Sequence, residues 1–89
     1  MAISLEQLNT IKDLAQSYGA TRLILFGSSV DNPAAARDVD LACDGVSGWK
    51  LYELAARIED AINMPLDLVP LSPSNRFVEM VERRGKRLL

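Results

Sequence analysis

Two aspartates one residue apart, Asp38 and Asp40, begin an otherwise apolar segment that runs to Cys43. Side chains at positions i and i+2 of a strand point to the same side, so a strand here aims both carboxylates together. Asp67 lies within a second short apolar segment, residues 66–69. If that segment forms a strand beside the first, three carboxylates converge on one patch of the molecule.

A cluster of this kind repels itself. Two carboxylates about 4 Å apart repel by roughly 4 kcal/mol at an effective dielectric constant near 20. Either the pKa values of the carboxyls rise and protons stay bound, or a cation neutralises the cluster. The chain contains no histidine, which excludes Ser-His and Cys-His nucleophiles and the usual zinc sites. Oxygen ligands indicate Mg²⁺ or Mn²⁺, and two Mg²⁺ ions can clamp the oxygens of a phosphoryl or nucleotidyl transfer.

Gly27 and Ser28 follow a short apolar segment at the point where a strand would end. Glycine lets the backbone approach a phosphate, and the serine hydroxyl and nearby N–H groups can donate to its oxygens. Each feature also has an ordinary structural explanation. A Gly-Ser pair is common in turns, and the aspartates could belong to solvated strand ends or to an edge strand facing water. The combination of the Gly-Ser pair, the paired aspartates and Asp67 favours a site that binds metal and phosphate.

The elements that must position these residues follow from the apolar periodicity of the sequence. Ser4 and Gln7 form a capping-box pattern ahead of the first helical segment. A short helix also fits within the segment 28–37. The order αβ(α)βαβα predicts an α+β fold, a small mixed β-sheet covered by helices. The predicted helices cover 5–18, about 51–62 and a segment that Ser72-Pro73-Ser74 opens and Gly85 ends. The predicted strands cover 22–26, 39–43 and 66–69.

Length and composition narrow the class of protein. The 89 residues predict a single domain, 1–89, and 48% hydrophobic with 25% charged residues is typical of a globular chain. A net charge of −2 gives no general reason for binding nucleic acid or a membrane surface. Cys43 is the only cysteine, so the sequence predicts a reducing compartment. The absence of a signal-peptide pattern and of an apolar run near ~20 residues favours a cytoplasmic protein.

The motifs together resemble those of a known family. Phe26-Gly27-Ser28, nine intervening residues, Asp38-Val39-Asp40-Leu41 and later Leu66-Asp67-Leu68-Val69 are similar to the motifs of the minimal nucleotidyltransferases (MNT) of the DNA polymerase beta superfamily. The resemblance covers nearly the whole chain. It implies a polymerase beta-like nucleotidyltransferase fold.

The resemblance also implies a role for each motif residue. Gly27, Ser28 and Ser29 would bind the triphosphate of the nucleotide substrate, ATP. Asp38 and Asp40 would bind two Mg²⁺ ions, and Asp67 would be a further metal ligand that helps to deprotonate the attacking hydroxyl. The reaction would transfer a nucleoside monophosphate to a hydroxyl and release pyrophosphate.

Minimal members of this family are commonly encoded beside a HEPN-domain protein, with which they form a toxin–antitoxin module. The resemblance therefore implies an antitoxin that attaches AMP (AMPylation) to a tyrosine hydroxyl of a HEPN RNase toxin. The expected partners are that toxin and ATP, without a membrane and without direct nucleic-acid binding. A homo- or hetero-oligomer remains open.

One departure from the family pattern keeps other functions open. Many relatives place an arginine soon after the glycine-serine pair, where this chain has Ser29, Val30 and Asp31, and Arg37 could supply the lost charge. The missing arginine favours a non-catalytic module that neutralises a partner by contact. A third hypothesis is a nucleotide sensor that binds ATP without turnover.

Three further features have both a functional and a structural interpretation. Trp49 and Tyr52 lie at the start of the helix predicted over about 51–62. Their structural interpretation is packing in the core or on the surface, and their functional interpretation is stacking on a partner or on a base near the site. Cys43 could be a nucleophile, but it is expected to be a small buried residue instead. The basic segment 83–87 could contact RNA, ATP phosphates or an acidic partner, although cations also suit the end of a helix.

Overall fold

The computed structural model of the chain describes residues 3–89, so residues 1 and 2 of the predicted domain lie outside the described range. A short 3-10 turn, Pro33–Ala35, links the second helix to the second strand. The helices are α1 (Leu5–Ser17), α2 (Ser28–Asp31), α3 (Trp49–Ile62) and α4 (Arg76–Arg84). The strands are β1 (Arg22–Phe26), β2 (Val39–Asp44), β3 (Leu66–Pro70) and β4 (Lys86–Arg87).

Local signals in the sequence account for most of these boundaries. The predicted capping box is confirmed, because the Gln7 N–H donates to Ser4 Oγ at 3.1 Å and the Ser4 N–H donates to Gln7 Oε1 at 2.8 Å. The last helix begins later than predicted. Its first turn is capped by Asn75, whose Oδ1 accepts a hydrogen bond from the Val78 N–H at 2.9 Å, and so the helix begins at Arg76 rather than near Ser72.

The four strands form one mixed sheet in the order β3-β2-β1-β4. β1 pairs antiparallel with both β2 and β4, whereas β2 and β3 are parallel and are joined by the crossover helix α3. The predicted α+β fold with a small mixed sheet is confirmed. The two-residue strand β4 was not predicted from the sequence.

The two faces of the sheet are covered by different helices. On one face, α1 and α3 pack against the larger apolar cluster of the protein, the main core. On the other face, α4 and Leu71 cover a smaller group, the second apolar cluster. The buried residues of the main core include Ile11, Leu23, Leu25, Val39, Leu41, Leu54 and Ile58. The buried residues of the second apolar cluster are Ile24, Phe26, Ala42, Leu71, Val78 and Val81.

The alternation of side chains along β2 connects this layering to the predicted site. Val39, Leu41 and Cys43 belong to the main core, so the residues between them point to the opposite face of the sheet. Ala42 lies in the second apolar cluster on that face, and Asp40 shares its direction. Asp40 is therefore on the same face as helix α4. None of the helices formed by residues 3–89 has the length and apolarity that a bilayer-spanning helix requires.

Candidate active site

Three side chains form one row across the sheet at the start of β2. Asp40 is the direct partner of Asp67 on the parallel strand β3 and of Phe26 on the antiparallel strand β1. Neighbouring strands lie about 4.8 Å apart, and directly paired residues project to the same face. The second and third strands thus pair, which is the condition that the sequence set for the carboxylates to converge, and Asp40 has a second carboxylate beside it. The Val39 N–H, which donates to Pro65 O at 2.9 Å, fixes this register at its beginning.

Asp40 experiences the charge of both other candidate ligands. Its side chain is half-buried, whereas Asp38, one residue before β2, and Asp67 are exposed. Burial raises the pKa of the Asp40 carboxyl above its ordinary value, and the negative charges of Asp67 and then Asp38 raise it further. The sequence predicted this repulsion for converging carboxylates.

The carboxylates are near one another without forming a closed set of ligands. Within residues 3–89, no group of three or more His, Cys, Asp or Glu side chains is arranged to hold a metal ion. The donor set nevertheless suits magnesium, because carboxylate oxygens are the ligands that this ion takes from proteins. The mutual repulsion at Asp40 is also the electrostatic condition that a divalent cation relieves.

Gly27 lies directly against the Asp40 carboxylate. Its backbone has φ 72° and ψ −149°, a conformation that is essentially restricted to glycine. A Cβ atom at this position would overlap Asp40 Oδ2. The glycine is therefore needed for two reasons, the turn from β1 into α2 and the space that the carboxylate occupies.

Ser28 and Ser29 form the beginning of α2 beside the carboxylates. The first hydrogen bonds of this helix come from the N–H groups of Val30 and Asp31, both accepted by Gly27 O at 3.0 Å. The backbone amides of Ser28 and Ser29 precede these donors and lie ahead of the hydrogen-bond ladder of the helix. Ser28 is exposed.

The Ser29 side chain has a structural task. Its hydroxyl donates to the backbone carbonyl of Asp38 at 3.1 Å, which ties the start of α2 to the segment that carries the paired aspartates. Of the predicted nucleotide-binding residues, Ser28 offers a hydroxyl to solvent, whereas Ser29 holds the loop and offers its backbone amide.

The positions after Ser29, where the family pattern led us to look for an arginine, carry other residues. Val30 is half-buried and packs against the main core. Asp31 is exposed at the end of α2, and Arg37 is exposed just before the paired aspartates. Val30 thus makes an apolar contact with the core, and the three residues after Ser28 include no cation.

Two features singled out in the sequence lie elsewhere. Trp49 and Tyr52 are 68% and 79% exposed at the start of α3, which follows the far end of β2, so base stacking near the carboxylates was a wrong interpretation for them. A cavity of about 620 Å³ lies at that end, lined by Tyr52, the 43–48 segment and Ser72, and the carboxylates do not line it.

Cys43 and the basic segment lie in ordinary structural positions. Cys43 is buried in the main core as expected. In the basic segment, Arg83 and Arg84 close α4 while Lys86 and Arg87 form β4, and all four side chains are exposed.

The sequence did not single out the aromatic pair beside the carboxylates. Phe77 of α4 packs edge-to-face on Phe26, with ring centroids 5.6 Å apart and an interplanar angle of 81°. Phe77 is 45% exposed. A signal was present in the sequence, since Phe26 directly precedes Gly27, but the partner ring comes from a helix 51 residues later.

The mixed sheet, with its carboxylates at one end and α1, α3 and α4 on its faces, has the fold of the minimal nucleotidyltransferases. In particular, it is similar to a chain of a toxin–antitoxin complex solved with AMP-PNP, with 25% sequence identity, a TM-score of 0.79, and coverage of 92% of this chain and 72% of that one. It is also similar to a chain of the MntA–HepT toxin–antitoxin complex, with 23% identity, a TM-score of 0.76, and coverage of 97% and 72%.

A third similar structure is a complex of a tri-AMPylated HEPN toxin of Shewanella oneidensis with its MNT antitoxin. The matching chain is 23% identical, with a TM-score of 0.74 and coverage of 94% of this chain and 70% of that one. No protein-family model and no curated protein sequence matches the chain. The family resemblance inferred from the motifs is confirmed for the fold.

Proposed function

We propose that this chain is a Mg²⁺-dependent nucleotidyltransferase that transfers AMP from ATP to a tyrosine hydroxyl of a HEPN toxin and thereby acts as an antitoxin in the cytoplasm. The observation that carries the proposal is the position of Asp40, which has Asp67 beside it on β3, Asp38 just ahead of the start of β2 and Gly27 against its carboxylate. Its fold is shared with structures that contain AMP-PNP and an AMPylated HEPN toxin, which supports this chemistry.

Asp38, Asp40 and Asp67 would hold two Mg²⁺ ions. Such ions, when bound, stabilise the attacking and leaving oxygens of a nucleotidyl transfer. Asp40 is half-buried and lies on an inner strand of the sheet between Asp67 and Phe26, so it would be the shared ligand. Asp38 and Asp67 are exposed and have room to turn their carboxylates toward Asp40. Asp67 would also accept the proton of the attacking tyrosine hydroxyl.

The triphosphate of ATP would lie on the turn between β1 and α2. Gly27 has no side chain to block the approach of phosphate oxygens, and the Ser28 hydroxyl and the amides of Ser28 and Ser29 would donate to them. The hydrogen bond from Ser29 Oγ to Asp38 O would keep this turn and the carboxylates at a constant separation. Phosphate binding and metal binding would then belong to one rigid unit.

The test is a transfer assay with labelled ATP, Mg²⁺ and the protein encoded beside this chain, which we expect to be a HEPN protein. We expect the label to appear on a tyrosine of the HEPN protein. Asp40→Asn should lower the rate by about two orders of magnitude or more, because it removes the central ligand. Asp13→Asn, which changes an exposed carboxylate on α1, is the matched control and should transfer AMP like the wild type. Equal labelling by Asp40→Asn and wild type would disprove the mechanism.

A non-catalytic antitoxin is the second candidate function. Two observations favour it: Val30 packs against the core where relatives carry a cation nearby, and within residues 3–89 the carboxylates do not form a ready metal site. The two functions differ in cells that express the toxin. If Asp40→Asn protects such cells as well as the wild type does, contact alone neutralises the toxin. If protection is lost while the variant still binds the toxin, catalysis is required.

A further inference from the structure

Phe77 is an exposed aromatic ring on the face of the sheet that carries the candidate ligands. The other large apolar side chains that are exposed within residues 3–89 lie elsewhere. Leu5 belongs to α1, which packs on the opposite face, and Trp49 and Tyr52 lie at the far end of β2. Phe77 belongs to α4, the helix that covers the second apolar cluster, and its neighbour Val78 is buried there. Phe77 itself is 45% exposed.

The position of Phe77 is set by Phe26. The two rings meet edge-to-face with their centroids 5.6 Å apart, a geometry that aromatic pairs prefer. Phe26 is buried and pairs directly with Asp40 across β1 and β2. The Phe77 ring is thus held one side chain away from the carboxylate row.

The orientation of α4 keeps the start of this helix at the same end of the sheet. Arg22 Nη1 donates to Glu82 Oε2 at 2.7 Å, so the later part of α4 lies beside the beginning of β1. Phe77, five residues earlier, lies beside Phe26 at the end of β1, where the chain turns into Gly27. This ring and the proposed triphosphate turn are therefore neighbours.

We propose that Phe77 is the stacking surface for the base of the bound nucleotide, an inference that rests on the proposed function. The base of a nucleotide whose phosphates contact Gly27 and Ser28 is joined to them through the ribose, and an aromatic ring near that turn can stack on it. A half-exposed phenyl ring held by a buried partner can do so with little loss of side-chain freedom, because its position is already fixed. Phe77 would contribute to affinity for any base and would not by itself select adenine.

The experiment measures the affinity of the full chain for Mg·ATP and for Mg·tripolyphosphate by calorimetry. Phe77→Leu should weaken Mg·ATP binding by about fivefold or more and leave tripolyphosphate binding unchanged, since only the first ligand has a base. Phe77→Trp should restore or exceed the wild-type affinity for Mg·ATP. Tyr52→Leu removes an exposed aromatic ring at the far end of the sheet and should change neither affinity.

Several results would overturn the inference. Phe77→Leu could bind Mg·ATP as tightly as the wild type, or it could lose the same factor for both ligands, which would indicate a disturbed phosphate site. An unchanged affinity for Mg·ATP with a higher concentration of HEPN protein at half-maximal rate would assign the ring to the acceptor. A wild-type chain that binds neither ligand would disprove the proposed function itself, and that outcome is distinct because it appears before any variant is compared.

Discussion

Asp40 faces Asp67 across the parallel strands β2 and β3, so two carboxylates occupy adjacent positions in one row of the sheet. Asp38 adds a third negative charge, and burial acts in the same direction on the pKa of Asp40. In the metal-free protein these carboxylates repel one another, which destabilises the folded state. This relationship makes the stability of the chain dependent on pH and on divalent cations.

Replacing Asp40 with asparagine should therefore stabilise the metal-free protein at neutral pH. Because the folded-state pKa of Asp40 is raised, its favourable contribution is complete below about pH 4 and is lost as the pH rises through that raised pKa. Asp40→Asn removes this loss. In EDTA we expect a melting temperature a few degrees above that of the wild type at pH 7, and a smaller difference near pH 3.5.

Magnesium should reduce or reverse the difference in melting temperature between Asp40→Asn and the wild type. Added Mg²⁺ should raise the melting temperature of the wild type, because it binds the folded state, and should have less effect on Asp40→Asn. Asp60→Asn, which changes an exposed carboxylate on α3, serves as the control. Identical melting curves for Asp40→Asn and wild type at pH 7 would contradict the repulsion that the structure indicates.

Gly27→Ala should abolish transfer activity to an extent that its effect on stability does not explain. Gly27 and Gly48 have nearly the same backbone conformation, φ 72° and ψ −149° against φ 64° and ψ −146°. Alanine should cost about 1–3 kcal/mol of stability at either position. A Cβ at Gly27 would overlap Asp40 Oδ2, whereas a Cβ at Gly48 would have nothing within 4 Å.

The comparison of the two alanine variants isolates the contact with Asp40. Gly48→Ala should retain nearly full activity at a temperature where both variants are folded, while Gly27→Ala should lose most of it. Circular dichroism measures the folded fraction, and the labelled-ATP assay measures the rate. Equal rates for both variants would show that the space beside Asp40 is not needed for transfer.

Asp31→Arg should strengthen nucleotide binding by restoring a cation soon after the glycine-serine pair. Asp31 is exposed at the end of α2, so a longer side chain can be accommodated without disturbing the core. An exposed charge pair contributes roughly 0.2–1 kcal/mol, which corresponds to a gain of about 1.5- to fivefold in affinity for Mg·ATP.

The gain from Asp31→Arg should decrease as salt concentration rises, because exposed charges are screened. Asp60→Arg makes the same change of net charge on α3 and controls for the general field of the protein. If both variants gain equally in calorimetry, the effect is not local, and the arginine of the family pattern has no counterpart at this position.

The order of elements and the direction of Asp40 could be predicted because each depends on patterns within short segments. Alternation in β2 sends Asp40 away from Leu41, and the capping box sets the start of α1. The pairing of β2 with β3 was a conditional prediction, since side-chain periodicity gives direction within a strand and leaves the choice of neighbour open.

The strand β4 could not be predicted for a physical reason. Lys86 and Arg87 are exposed and charged, as is common for an edge strand, and two residues give no alternation to detect. Their pairing with Ile24 and Leu25 depends on the close approach of Gly85 to β1, where a Cβ would come within 2.9 Å of Leu25 O. The contact of Phe77 with Phe26 is likewise tertiary, so helical spacing within α4 gives no sign of it.

Cys43 should be inert in the folded protein despite being the only thiol in the chain. The side chain is 1% exposed, and burial, followed by the charge of Asp44, raises the pKa of the Cys43 thiol to about 11. The thiolate is the reactive form, so labelling by a thiol reagent at pH 8 should be slow in buffer and fast in denaturant. A rapid reaction of the folded protein would contradict the buried position.

The same shift predicts a loss of stability in alkali. The unfolded thiol ionises near pH 8.5 and the folded thiol near pH 11, so the favourable contribution of Cys43 is complete below about pH 8.5 and is lost as the pH rises to about 11. Chemical denaturation at pH 7.5 and pH 10 measures this change. Cys43→Ala lacks the ionising group, so its free energy of unfolding should fall less between these two pH values than that of the wild type. An equal fall for both proteins would assign the alkaline loss to other groups.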